Sequence, residues 1–182
     1  MHQSTVIELI ILSRKNDARA FRKLVEAHQS MIYTLAYRLL CNDEDAKDIV
    51  QETFIKVWKH LDRFNTEFKF STWLYSIAAH MCYDKLRKVK QIYNLSLYDQ
   101  NIIQEFISQE NIEQTVINAE LSNIISSLTR DLTPKQKLVF TLSDLEGLEV
   151  EEIISITGLS AGKIKSNLYL ARQYIRKKIE NL

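Results

Sequence analysis

Glycine and proline are scarce in this sequence, which contains three glycines and one proline among 182 residues. A sheet protein with many tight turns needs more of both, whereas Leu, Ile, Lys, Glu and Ala, which favour helices, are plentiful here. The apolar content of 46% is sufficient for hydrophobic cores. The sequence therefore predicts an all-α protein.

Cysteines, long apolar runs and excess charge are lacking as well. Cys41 and Cys82 belong to no CxxC motif or His/Cys cluster, which argues against a zinc site or a disulfide framework and favours the reducing cytoplasm. No apolar stretch approaches the roughly 20 residues of a membrane-spanning helix, and residues 1–16 show no cleavable signal pattern. The net charge of +1 gives no overall basic excess that would indicate nucleic-acid binding.

The charge is unevenly distributed along the chain. Residues 1–90 carry a net charge of +4, residues 91–131 carry −5 and residues 132–182 carry +2. The acidic segment is rich in Ser, Gln and Asn and contains neither Gly nor Pro. We expect two small helical domains, 1–90 and 117–182, joined by a flexible acidic linker at 91–116.

Four helices are predicted in the first block from the helical spacing of its apolar residues. The predicted helices are Thr5–Arg14, Ala18–Leu40 with Asp17 as N-cap, a third from Asn42 or Asp43 to about Leu61, and a fourth capped by Ser71 or Thr72. The apolar stripe of the fourth helix includes Trp73, for which we expect a packing role.

The third helix leaves an acidic and polar face outward. Such a pattern alone is typical of an ordinary solvated helix face. The segment Asp45–Trp58, DAKDIVQETFIKVW, resembles the region-two core-binding helix of bacterial sigma factors. The resemblance implies that this face docks on a basic coiled coil of the RNA polymerase clamp through Asp45, Asp48, Gln51 and Glu52.

A polar and aromatic loop, Phe64–Ser71, precedes a helix that ends in a basic cluster. Such a cluster suits phosphates, but it is also common where a helix C-terminus is stabilised by the helix dipole. The segment Arg63–Lys90 resembles the sigma region that opens and reads the minus-ten promoter element, which implies that the loop captures an unpaired base. The residues implied in this contact are Phe64, Asn65, Lys69, Phe70, Ser71, His80, Lys85, Arg87 and Lys88. Ala79 and His80 stand where many relatives have Arg and Asn.

The second block has the pattern of a helix-turn-helix. After a helix at about Ile117–Leu128, Thr133 and Pro134 begin a helix that runs to about Leu145 and ends before Gly147; a short helix Val150–Ile156, a turn at Gly158, and a long helix capped by Ser160 follow. Residues 161–182 carry a net charge of +5. The second helix can enter a major groove, although a basic solvated helix is the alternative.

The segment Leu132–Arg172 is similar along its length to sigma region four, which reads the minus-thirty-five element. Region-two-like and region-four-like segments appear in this order with a short linker and no region three, so the chain resembles the extracytoplasmic-function (ECF) group of the sigma-70 family. The resemblance implies upstream DNA contacts by Lys163, Lys165, Ser166, Asn167, Tyr169 and Arg172. Asn167 and Leu170 stand where many relatives have Arg.

The function expected from this resemblance is to bind core RNA polymerase, recognise and help melt specific promoters, and initiate transcription of a stress or signal-response regulon. Relatives are commonly held inactive by an anti-sigma factor, often a membrane protein. The alternatives are a free-standing transcriptional regulator, which leaves the acidic face of the third helix without a use, and a helical adaptor that binds only proteins.

An enzyme is not expected, because no catalytic constellation occurs and His2, His28, His60 and His80 lie in no metal-ligand spacing. The carboxylates at the start of the third helix are explained by the helix dipole. We therefore expect no metal, no cofactor and no small-molecule substrate.

Overall fold

The computed structural model describes residues 3–96 and 124–181, all of them in helices, turns or short connections without a strand. The all-α prediction is confirmed for this part of the chain. The helices are α1 (Gln3–Arg14), α2 (Ala18–Leu40), α3 (Asp43–His60), a 3-10 turn (Leu61–Arg63), α4 (Phe70–Ser96), α5 (Pro134–Phe140), a π-helical turn (Thr141–Leu145), α6 (Val150–Thr157) and α7 (Ala161–Glu180). Residues 124–129 are also helical.

Part of the predicted linker region lies outside the described residues. These are residues 97–116 of the predicted linker 91–116 and residues 117–123 of the helix predicted next. Helix α4 continues to Ser96, beyond the predicted domain boundary at residue 90.

Most helix starts follow the predicted caps. The Asp17 carboxylate accepts hydrogen bonds from the backbone amides of Arg19 and Ala20 at 2.8 and 3.1 Å. The Asn42 side chain accepts one from the Asp45 amide at 2.8 Å. Side-chain acceptors satisfy amides that have no partner within the helix. The predicted Asp17 cap of α2 is therefore confirmed, and α3 begins at Asp43, one of the two starts predicted for it, with Asn42 as its N-cap.

Helix α4 begins earlier than predicted. Phe70 is its first residue, so Ser71 and Thr72 lie inside the first turn and neither is the N-cap. Phe70 is buried against Phe64 and Trp73, with ring centroids 5.4 and 5.9 Å away. The prediction of a Ser71 or Thr72 cap was wrong because this aromatic packing draws Phe70 into the helix.

Helix α2 is the centre of the first half and packs against α1, α3 and α4. Its buried face carries Leu24, Ile32 and Leu35, all fully enclosed. The Arg14 side chain at the end of α1 donates hydrogen bonds to the carbonyl oxygens of Leu61 and Phe64. These bonds fix the start of the loop between the 3-10 turn and α4.

The second half contains the predicted helix-turn-helix. Thr133 and Gln136 form a capping box at the start of α5, and the Ser160 hydroxyl accepts a hydrogen bond from the Lys163 amide at 3.5 Å. Gly147 and Gly158 both have φ of +68°, the left-handed conformation that glycine adopts without strain. These caps and turns are confirmed.

Two details of the second half differ from the sequence predictions. The predicted α-helix to Leu145 becomes a π-helical turn after Phe140, where the Glu146 amide donates to the Thr141 carbonyl at 2.9 Å. The helical spacing of the apolar residues in α7 predicts that Ile179 is buried. In the structure it is exposed, because the last turn of α7 extends beyond the smaller cluster formed by Leu132, Ala171 and Ile175.

The two halves are in contact. Leu138, Val139, Leu142, Ile153 and Ile156 are buried in the same apolar cluster as residues of α1–α4. Helices α5 and α6 pack against α4, and the π-helical turn packs against α2. We call the packing of residues 134–157 on α2 and α4 the interdomain contact.

Candidate protein and nucleic-acid interfaces

The outward face of α3 is polar and open. Asp48, Gln51 and Glu52 are exposed and lie one turn apart, so their side chains share one helix face. None of the three pairs with another side chain in the described part of the chain. Asp45 differs, because its carboxylate is 2.6 Å from the Lys85 ammonium of α4. Three of the four predicted core-binding groups are therefore accessible together.

An apolar groove adjoins this face. It lies between α2 and α3 and is lined mainly by Phe21, Val25, Val50, Phe54, Ile55 and Trp58. The Trp58 ring packs edge-on against Phe21 with centroids 4.7 Å apart, yet the residue remains 38% exposed. The helical spacing of the apolar residues in α3 predicts that Trp58 lies on the buried stripe of the helix, and its open edge is not apparent from that spacing.

The loop before α4 exposes one of its three phenylalanines, and this is not one of the two chosen as minus-ten contacts. Phe64 and Phe70 are 7% and 5% exposed, and the Phe64 ring stacks on Trp73 at 5.0 Å. Phe68 is 65% exposed. Within this loop, the aromatic face available to a base is therefore that of Phe68. Phe64 and Phe70 are buried beneath the loop, where they pack against Trp73. Trp73 has the packing role expected for it.

The polar groups of the same loop are partly engaged. Asn65 accepts a hydrogen bond from the Glu67 amide at 3.0 Å and donates one to the Glu67 carboxylate at 2.9 Å. The Lys69 ammonium lies 3.2 Å from the Glu152 carboxylate of α6. Ser71 is half-buried at the start of α4. The loop thus contacts the second half of the chain through Lys69.

The basic end of α4 remains open to solvent. Arg87 and Lys88 are exposed, and Arg87 is only loosely paired with Asp84 at 3.6 Å. His80 is also exposed and its Nδ1 lies 2.6 Å from the Ser76 carbonyl oxygen. Lys85 is the exception, because it pairs with Asp45. All four of these residues lie on α4, between the loop at its start and its basic end.

Helix α7 presents a basic surface from its first turns. Lys163, Lys165, Ser166 and Tyr169 are exposed there, as the second helix of a helix-turn-helix requires. The Asn167 amide group donates to the Lys163 carbonyl at 2.7 Å.

Arg172 of α7 is held by a carboxylate. Its guanidinium donates two hydrogen bonds to Asp144, at 2.9 and 2.6 Å, and this pairing raises the pKa of Arg172. The fork of two parallel bonds fixes the position of the guanidinium. Among the six residues predicted to contact upstream DNA, Arg172 is the one that is ion-paired in the described structure.

A buried carboxylate joins the two halves. Glu146, whose side chain is 8% exposed, accepts a hydrogen bond from Arg38 at 2.7 Å and one from the Tyr75 hydroxyl at 2.8 Å. Arg38 also donates to the Leu145 carbonyl at 2.6 Å. Burial and the neighbouring Glu146 carboxylate raise the pKa of Tyr75. This cluster has no signal in the sequence, because no local spacing links residues 108 positions apart.

Residues 3–96 and 124–181 contain no group of three or more His, Cys, Asp or Glu side chains that could hold a metal ion. Over the same residues, no helix is both long enough and apolar enough to span a membrane.

Two family models match the chain. The model of Sigma-70 region 2 matches residues 24–92, and that of Sigma-70, region 4 matches residues 122–175. The first match covers the outward face of α3, the loop and most of α4. The second covers the helix-turn-helix as far as Ile175.

Curated proteins of the same family match nearly the whole chain. The chain is 33% identical to the ECF RNA polymerase sigma factor SigW of Bacillus subtilis, over 93% of this chain and 94% of the relative. It is 30% identical to the ECF RNA polymerase sigma-E factor of Escherichia coli, over 93% and 91%.

A similar fold occurs in a structure of CnrH in complex with the cytosolic domain of CnrY, with a TM-score of 0.68 and 21% identity over 97% of this chain and 98% of that one. Another occurs in a structure of the sigma factor RpoE in complex with the anti-sigma factor NepR from Bartonella quintana, with a TM-score of 0.67 and 22% identity over 90% of this chain and 98% of that one. These two likenesses concern the fold, whereas the family-model matches and the identity to curated sigma factors place the chain in the ECF group of the sigma-70 family, whose members act in promoter-specific initiation of transcription by RNA polymerase.

Proposed function

We propose that this sigma factor divides its work among three surfaces. The α3 face of Asp48, Gln51 and Glu52 docks on the polymerase clamp, with Asp45 at its edge. The loop and α4 bind the minus-ten element, and α7 reads the minus-thirty-five element. The single observation that carries the proposal is that the α3 face and the start of α7 are both exposed, although they lie in different halves of one chain. Residues 1–90 and 117–182 are the domains that we assign to these tasks.

At the minus-ten element, the proposed role of the loop is to hold an extruded base. Unstacking a base costs a few kcal/mol, which stacking on an aromatic face offsets by about 1–3 kcal/mol. Phe68 offers that face, and Asn65 and Lys69 offer polar groups beside it. Arg87 and Lys88, with His80 and Lys85, then lie along α4 for the phosphate backbone.

At the minus-thirty-five element, Lys163, Lys165, Ser166, Asn167 and Tyr169 are proposed to face the major groove. Each ammonium that reaches a phosphate releases condensed counterions and so adds to the salt dependence of binding. Arg172 is proposed to contact DNA with the guanidinium face that Asp144 leaves free. The chain needs no catalytic group or cofactor for these tasks, and it acts in the cytoplasm where polymerase and promoters are found.

The polymerase contact is tested with the Asp48→Ala, Glu52→Ala double variant in a transcription assay with core RNA polymerase and a promoter library. We expect promoter-specific transcripts from the unaltered chain. In the variant, we expect the affinity for core polymerase to be lowered about tenfold or more, because truncating one member of a buried charge pair leaves the other charge unpaired in the interface. Glu8→Ala, Glu26→Ala is the matched control, since it removes two exposed carboxylates from α1 and α2. Operator binding that does not depend on polymerase would make the chain an ordinary regulator.

A regulatory partner is part of the proposal, and so is a stress or signal-response regulon. Support comes from the solved complex of the sigma factor RpoE with the anti-sigma factor NepR, to which this chain is similar in fold. We propose that an anti-sigma factor, soluble or membrane-anchored, covers the α3 face. Such a partner is expected to compete with core polymerase for this chain. A binder that leaves the affinity for polymerase unchanged would not be that partner.

A further inference from the structure

None of the three proposed surfaces includes α1, although the last residue of this helix contacts one of them. We propose that Arg14 is a positioning residue for base capture: it holds the loop before α4 in the conformation in which Phe68 faces an extruded minus-ten base. The inference rests on the proposed function, because it takes this loop as the minus-ten surface. In this role Arg14 acts through the backbone of the loop and does not touch the base.

Arg14 bridges the two ends of the 3-10 turn at which the loop begins. Its Nε donates a hydrogen bond to the Leu61 carbonyl oxygen at 3.2 Å, and its Nη2 donates one to the Phe64 carbonyl oxygen. The Phe64 amide donates to the same Leu61 oxygen, which has two lone pairs and accepts both bonds. One planar guanidinium therefore fixes the positions of two backbone carbonyl groups relative to each other.

The carbonyl of Phe64 determines the direction in which the loop continues. It belongs to the planar peptide group that joins Phe64 to Asn65, so a hydrogen bond to its oxygen fixes the orientation of that plane. Phe64 is also held by its ring, which stacks on Trp73. Phe68 follows four residues later, is 65% exposed, and its amide donates to the Asn65 carbonyl at 3.2 Å. The place of the exposed ring therefore depends on the peptide plane that Arg14 holds.

Helix α1 is a rigid support for this side chain. It packs on α2, and Ile10 on its inner face is fully buried. Asn16 adopts the left-handed conformation with φ of +63°, and its amide donates to the Ser13 carbonyl at 2.9 Å. This turn ends the helix directly after Arg14. A side chain on a packed helix holds its partner more precisely than one on a loop does.

The contacts of Arg14 depend on geometry more than on charge. Within residues 3–96 and 124–181, its guanidinium forms no ion pair, and both of its hydrogen bonds go to backbone carbonyl oxygens. A lysine at this position would keep the charge and most of the apolar stem. Its single ammonium lacks the rigid fork that spans two acceptors. Arg14→Lys therefore removes the bridge and leaves the charge in place.

The test compares Arg14→Lys with Lys15→Ala in holoenzyme formed from the full chain and core polymerase. Fluorescence anisotropy measures the binding of a single strand that carries the minus-ten element found in the transcription assay. We expect Arg14→Lys to lower this affinity about fivefold or more, because part of the stacking on Phe68 is lost.

Lys15→Ala is the matched control. Lys15 is exposed beside Arg14 and its side chain pairs with no other in the described part of the chain, so the control removes a charge without touching the loop. We expect it to leave the strand affinity within about twofold of the unaltered holoenzyme. A loss in Lys15→Ala as large as that in Arg14→Lys would overturn the proposal, since it would make the effect one of charge near the end of α1.

A double-mutant cycle with Phe68→Ala separates positioning from general damage. If Arg14 acts through Phe68, Arg14→Lys should weaken strand binding little further once the ring is removed, because both changes affect one contact. Fully additive losses would overturn the proposal, and so would normal strand binding by either single variant.

A second variant and a second measurement guard against loss of the fold. Arg14→Gln has a shorter, neutral side chain and should show the same loss and the same non-additivity. The affinity for core polymerase should be unchanged in both Arg14 variants, and an equal fall in that affinity would overturn the proposal, because Arg14 would then support the whole first half. Failure of the proposed function would appear elsewhere, as an absence of promoter-specific transcripts from the unaltered chain with core polymerase.

Discussion

Lys165 and Arg172 lie two turns apart on α7, but their surroundings differ. Arg172 is fixed by Asp144 through two hydrogen bonds, whereas Lys165 is exposed and pairs with no other side chain in the described residues. An ammonium on a flexible stem acts as a point charge towards phosphate. At the scale of single residues, Lys165 is therefore the simplest probe of phosphate contact by α7.

We expect Lys165→Ala to weaken binding to the promoter found in the transcription assay and to reduce the slope of log K against log salt concentration by about one unit, since one fewer counterion is released. The measurement is a salt titration with holoenzyme. Lys178→Ala is the control, because Lys178 is paired with Asp131 near the other end of α7. An unchanged slope for Lys165→Ala would remove this residue from the phosphate contacts.

At the residue scale, charged and aromatic residues were easier to identify from the sequence than the side chains that surround each of them. It named Lys69, Lys85 and Arg172 as DNA contacts implied by the resemblance to sigma factors, but the carboxylates that pair with them lie 83, 40 and 28 positions away. It chose Phe64 and Phe70 as the minus-ten contacts among the three phenylalanines of the loop, yet Phe68 is the exposed ring. The three phenylalanines of this short loop cannot be distinguished from the sequence. In the structure, Phe64 and Phe70 are buried because they pack against Trp73.

At the scale of elements, two glycines in the helix-turn-helix offer opposite predictions. Gly158 has φ of +68° and Gly162 lies in α7, and a Cβ added at either would meet nothing within 4 Å. We expect Gly158→Ala to lower the free energy of unfolding by about 1–2 kcal/mol, the cost of a left-handed alanine. Gly162→Ala should raise it by up to about 1 kcal/mol. Urea unfolding followed by circular dichroism measures both, and equal shifts would contradict the backbone argument.

Elements were predicted well where their signals are local. Asp17, Asn42, Thr133 and Ser160 cap the helices that follow them, because a cap needs only an acceptor two or three residues from its donor. The π-helical turn Thr141–Leu145 was not predicted. It lies beside α2, so its conformation depends on packing with a distant part of the chain.

At the scale of the whole molecule, the second half depends on the first. Residues 124–181 are few, and a unit of this size buries too little surface to be more than marginally stable alone. Leu138, Leu142 and Ile153 complete their burial in the cluster shared with α1–α4. The prediction of two helical domains is confirmed as a fold class. The charge pattern on which it partly rests carries no information on the apolar cluster that the two halves share.

The shared cluster predicts coupled unfolding. Both tryptophans, Trp58 and Trp73, lie in the first half, so their fluorescence reports on that half alone. Far-ultraviolet circular dichroism reports on all helices. We expect the two signals of the unaltered chain to change at the same urea concentration, as for a single cooperative unit. In Glu146→Ala the circular-dichroism transition should begin at lower urea than the fluorescence transition, because the second half loses its support. Separate transitions in the unaltered chain would mean that the interdomain contact contributes too little free energy to couple the unfolding of the two halves. Coincident transitions in the Glu146→Ala variant would mean that the apolar cluster couples the two halves without Glu146.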